Sequence, residues 1–115
     1  MWIYLSDAFL SVVQDTTQRD HLLVRARIAG DIETVFPFAT VTCSPERDYA
    51  YRASLPRAVV ADAIDRSVRA IDYPNFKASV HEQRRHDAYL RCWSAMLRFG
   101  ARHPAYDRPR KGVGK

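Results

Sequence analysis

Apolar and polar positions alternate most clearly in LLVRARI, residues 22–28. Leu22, Val24, Ala26 and Ile28 point one way, and Leu23, Arg25 and Arg27 the other, which is the period of a half-buried β-strand. WIYL and FLSVV flank the polar break SDA near the start, and two strands joined by a tight turn fit them. QDTTQRDH, residues 14–21, reads as a loop. FATVTC (38–43) and YAYRAS (49–54) are rich in β-branched and aromatic residues, and the turn SPERD separates them.

The period then changes. Val60, Ile64, Val68 and Ile71 recur at helical spacing after Ser54-Leu-Pro56, where Ser54 is a candidate cap and Pro56 suits the first turn. Asp62–Arg66 and Asp65–Arg69 are i,i+4 pairs with the acid N-terminal. A short helix follows Gly30, with Asp31 as its candidate N-cap and Pro37 as its end. DYPNFK breaks the chain, and a last helix is predicted over about 83–99. His86, Tyr89, Leu90, Trp93, Met96 and Leu97 form its apolar stripe, read as core, with Gly100 as the stop.

Strands first and helices late predict an α+β domain over residues 1–100. Its antiparallel sheet of about four to five strands is packed on one face by two C-terminal helices. Residues 101–115 are expected to be a flexible basic tail. A chain of 115 residues is long enough for one domain with a real core.

Charge placement changes the picture more than charge total. The net charge is +5. Residues 101–115 hold five basic side chains against Asp107, a net +4, which leaves 13 basic against 12 acidic in residues 1–100. The basic pI therefore belongs largely to the tail. Cys43 and Cys92 lie far apart with no metal-ligand spacing, so neither a disulfide nor a zinc site is expected. No apolar run approaches a membrane span, and the N-terminus lacks a basic leader. A cytoplasmic protein with no membrane association and no cofactor is the expectation.

The densest chemistry is HEQRRHDAY, residues 81–89. On a helix it divides into a core-facing edge with His86 and Tyr89 and a wet face with Arg84 and Asp87. The adjacent His86 and Asp87 point about 100° apart and are poorly placed to share a metal. A small nuclease using His21, His81, His86 or His103 as acid and base is one candidate, without a local signature to support it. There is no GxSxG, and with four glycines in the whole chain there is no phosphate-cradling loop.

A stronger signal lies on the sheet. Arg25 and Arg27 share a strand face, Arg52 joins them if the strands order that way, and Tyr49 and Tyr51 are candidate stacking rings. Arginine outnumbers lysine fifteen to three. Guanidinium forks and aromatic rings suit phosphates and bases. The expected function is therefore a non-enzymatic binder of a phosphate-bearing partner, a nucleotide, nucleotide messenger or nucleic acid. A second candidate is an interaction protein that docks through Tyr73, Asn75, Phe76, Lys77, His81, Arg84 and Arg85. A homodimer through an edge strand is a further expectation.

The pattern MWIYLSDAFLSVV, LLVRARIAGDIETVFP, YAYRASLPR, IDYPNFK, HDAY resembles a small, scattered group of bacterial proteins to which no activity is attached. Short proteins of this size on phages and plasmids include inhibitors of host defence nucleases, such as CRISPR-type nucleoprotein complexes, and proteins that sequester nucleotide messengers. That likeness of size and style implies an anti-defence role and names no residue.

Overall fold

The computed structural model describes residues 1–103. Five strands, β1 (Trp2–Tyr4), β2 (Phe9–Gln14), β3 (His21–Ala26), β4 (Thr42–Cys43) and β5 (Tyr51–Pro56), form one antiparallel sheet in the order β1-β2-β3-β5-β4. Three α-helices accompany it: α1 (Asp31–Val35), α2 (Arg57–Arg69) and α3 (Gln83–Arg102), with a 3-10 turn at Lys77–Ser79. The α+β class and the strand count are as the pattern predicts.

Alternation along the strands sorts the sheet into two unlike faces. On the first, Leu10 and Val12 of β2, Val24 and Ala26 of β3, and Ala53 and Leu55 of β5 are buried. They pack against Ile32 and Phe36 at α1 and Val60 and Ala63 of α2 in one cluster. The second face carries a row that crosses all five strands. Trp2 pairs with Ser11, Ser11 with Arg25, Arg25 with Arg52, and Arg52 with Thr42.

Helix α3 lies outside the layer that covers the first face. The periodicity predicts a C-terminal helix on the core, yet the one buried residue of α3 is Tyr89, and Trp93, Met96, Leu97 and Phe99 are exposed. The covering helices are α1 and α2 instead. An apolar stripe records that a face is apolar, not what covers it. Glu82 caps α3 by accepting the Arg85 backbone N–H. Gly100 does not end the helix, which continues through Arg102. The remainder of the expected tail lies outside the described residues.

Three local expectations also change. Asp31 is not a cap: Gly30, at φ 93°, precedes α1 in the left-handed conformation that glycine adopts without strain. Ser54 is inside β5, where its hydroxyl donates to Asp15, and α2 starts at Arg57 after Pro56. β4 is two residues long, and the start of the expected strand instead closes a turn at Phe36–Ala39, with Ala39 N–H on the Phe36 carbonyl. On α2 the Asp65–Arg69 pair forms at 3.1 Å.

Candidate functional site

α3 is fixed to the sheet at its first turns. Arg85 forks onto Asp31, with Nη2 2.7 Å from Oδ1 and Nη1 2.9 Å from Oδ2. Both side chains are nearly buried, at 12% and 5% exposure. Asp31 also accepts the Phe9 backbone N–H at 3.0 Å. This hydrogen-bonded fork, more than any other influence, raises the Arg85 pKa. One turn on, the Tyr89 hydroxyl donates to the Ala8 carbonyl at 2.9 Å and lies 3.0 Å from that of Leu5. Burial raises the Tyr89 pKa, so the donor stays protonated. A buried pair with satisfied oxygens specifies how the helix docks, and removing one partner strands the other.

Rings complete the joint. Tyr4 meets Tyr89 edge-on at 5.1 Å, and Phe76 stacks on Tyr89 at 5.7 Å, with Tyr73 5.7 Å from Phe76. Tyr4 is pushed up to about 12, first by burial and next by its hydrogen bond to Cys92 Sγ, 3.6 Å away. These contacts carry α3 and the segment 72–77 onto the second face of the sheet at its β1 edge, leaving the rest of that face open.

On the open part the expected arginines converge. Arg25, Arg27 and Arg52 line a hollow of about 510 Å³ together with Arg47 and Trp2. Tyr49 is buried at its base, with the Arg25 and Arg27 guanidinium carbons 4.6 and 4.1 Å from its ring centroid. Such stacking holds each guanidinium plane. Arg25 also donates to Ser11 Oγ at 2.7 Å, Arg27 pairs with Asp48, and Arg52 donates to the Tyr49 carbonyl at 3.2 Å.

Four guanidinium groups here face one carboxylate, Asp48. Burial, then the charges of Arg47 and Arg25, lower the Arg52 pKa. Arg52 remains a cation at neutral pH, and a nearby anion would act on it in the opposite sense to its arginine neighbours. Asp48 is lowered by its bonds from Arg27, so the one acid remains ionised at neutral pH.

Tyr51 does not belong to this group. It pairs with Ala26 and Cys43, falls on the first face by alternation, and packs against the core. Positions 49 and 51 do not act as one ladder, because Tyr49 precedes the strand and turns under the arginines. Arg47 and Trp2 are the members that sequence reading missed. Trp2 was legible only with the β1–β2 register, and Arg47 sits in a turn whose composition signals nothing but a turn.

The residues expected on a 72–87 docking surface divide. Asn75, Phe76 and Lys77 border a cleft of about 750 Å³ between β1 and α3, which Trp2, Trp93 and Met96 also line. Tyr73, His81 and Arg85 border a second hollow on the other side of the 72–82 segment, with Ser6 and Asp72. Arg84 is exposed, whereas Arg85 is held within the fold by Asp31. Asp87 accepts from Gln83 at 2.8 Å. His86 Nδ1 lies 3.6 Å from Asp87 and has no hydrogen-bond partner. His21, hydrogen-bonded to the Arg19 carbonyl at the start of β3, borders a different hollow from His81. Among the described residues no three His, Cys, Asp or Glu side chains gather in a metal-binding arrangement, and no helix is long and apolar enough to cross a membrane.

Comparison with protein-family models, with curated proteins and with solved structures returns no match.

Proposed function

We propose that the chain is a non-catalytic binding protein for a phosphate-bearing partner, held in the arginine hollow on the second face of the sheet. The observation that carries this reading is the convergence of Arg25, Arg27, Arg47 and Arg52 around Tyr49 with Asp48 as the one acid. Phosphate oxygens accept from two guanidinium edges at once, and a ring-stacked guanidinium needs little reordering to offer them. Titration calorimetry with inorganic pyrophosphate tests the reading. Wild type binds, and Arg25→Gln/Arg52→Gln binds at least about tenfold more weakly, a loss of about 1.4 kcal/mol. Equal affinity in the two proteins, or none in wild type, overturns it.

A second reading, an inhibitor that docks on a nuclease or nucleoprotein complex, is favoured by the uncovered α3 stripe of Trp93, Met96, Leu97 and Phe99. It predicts that Met96→Asp/Leu97→Asp abolishes capture of a purified partner while pyrophosphate affinity is retained. Capture unchanged in that variant removes it.

A further inference from the structure

The cleft between β1 and α3 opens beside the arginine hollow, and Trp2 is a wall of both. The chain has two tryptophans, and both border this cleft. Trp2 is 66% exposed and Trp93 47% exposed. A volume of about 750 Å³ lies in the range of sites that enclose an organic ligand. Cations stand beside both rings. Trp2 is shared with the arginine hollow, and Lys77 Nζ stands 4.6 Å from the Trp93 ring centroid.

We propose that cleft and hollow are one site and that its ligand is a short single strand of nucleic acid. This rests on the phosphate reading above and deepens it. Bases stack on Trp2 and Trp93, one phosphate group lies on the arginines, and the next lies toward Lys77. A mononucleotide carries its phosphates on one side of its base and leaves Lys77 unused. A strand alternates base and phosphate and meets cations beside both rings, as stacking platforms in charged grooves do. A second copy of the chain is the competing occupant, and its residues 1–100 are nearly neutral, so what it would bring to this positive rim is further arginine rather than the acidic side chains that would complement it. On α3 itself Arg84, Arg91 and Arg98 are exposed and recur two turns apart, away from the Tyr89 side. The α3 wall of the cleft is therefore left to Tyr89, Cys92, Trp93, Ala95 and Met96.

The test uses the full chain at about 0.15 M salt, where distant surface charges are screened. The probe is a fluorescein-labelled thymidine strand of about ten nucleotides. Anisotropy reads affinity, intrinsic tryptophan emission with the unlabelled strand reads the cleft, and light scattering reads mass. The strand is expected to quench tryptophan emission. Trp93→Ala weakens strand binding about tenfold and leaves pyrophosphate affinity unchanged, while Arg25→Gln/Arg52→Gln weakens both. Trp93 is half exposed, so its removal spares the fold, which circular dichroism checks. Wild-type strand affinity in Trp93→Ala, with pyrophosphate binding intact, overturns this inference and leaves the phosphate reading standing. Loss of pyrophosphate binding as well as strand binding in wild type overturns both. A dimer that Trp93→Ala converts to monomer, with strand affinity unchanged, gives the cleft to a second copy and also overturns it.

Discussion

The two faces of the sheet are built from the same strands and have opposite chemistry. The first is closed by α1 and α2, with six buried apolar side chains of the sheet packed against four from the helical side. The second has Trp2, Ser11, Arg25, Arg52 and Thr42 in one row and is covered only at its β1 edge, by α3 and the 72–77 segment. One face is a closed apolar core, and the other gathers charge. Like charges gathered over a buried ring, with one acid among four arginines, oppose folding slightly and favour an anion.

The largest effect is expected where the two sides are tied together. Asp31 belongs to α1, under the first face, and holds Arg85 of α3. Asp31→Ala leaves a nearly buried guanidinium unpaired and is expected to cost about 3–5 kcal/mol in urea denaturation. The reverse removal, Arg85→Met, strands the carboxylate instead, and the double variant should lose less than the two single losses combined.

Within the sheet, the contrast is sharpened by trimming one strand on each side. Leu10→Ala opens a cavity in the closed face and is expected to lose about 2–5 kcal/mol. Val13→Ala, on the other side of β2 and 37% exposed, should lose less than about 1 kcal/mol. Equal losses would mean that the second face is also core.

Arg25→Gln/Arg52→Gln gives up the Arg25–Ser11 and Arg52–Tyr49 hydrogen bonds while relieving mutual repulsion, so unfolding stability should fall by no more than about 2 kcal/mol. Loss of pyrophosphate binding in a variant that still folds is the signature of a working face. A variant that unfolds would instead mark these arginines as structural.

The smallest effect is a pH effect at the far edge of the same face. Asp15 is lowered from 3.8 to about 2, chiefly by the Ser54 hydroxyl and then by Thr17. A depressed carboxylate contributes stability above its unfolded value, and the contribution is lost as pH falls from about 4 through about 2. Ser54→Ala should move the Asp15 midpoint up toward 3.8 in an NMR carboxyl titration. An unmoved midpoint would assign the shift to Thr17.

Much of the fold was legible because its signals are local. The alternation in 22–28 gives β3 and places Arg25 correctly, and the spacing of Val60 and Ile64 gives α2. Contacts between distant segments were not legible. Asp31 and Arg85 lie 54 residues apart, and neither points to the other in its own segment, where Asp31 reads as a cap and Arg85 as part of a docking surface. The α3 stripe was legible as a stripe, but periodicity does not say whether anything covers it. Arg25 and Arg52 could be placed together only conditionally, since pairing β3 with β5 skips over β4. Tyr51 was misplaced for another reason: it is next to Arg52 on β5, and alternation alone sends the two side chains to opposite faces.

The central claim is that the second face is where the ligand sits. Its most direct test is an amide 15N–1H NMR titration of the full chain with inorganic pyrophosphate. The account predicts shifts at Ser11, Arg25, Tyr49 and Arg52 and a Trp2 indole signal that moves with them, while Val60 and Ala63 of α2 stay still. Unchanged spectra at saturating pyrophosphate, or shifts confined to α2 and the first face, would contradict it.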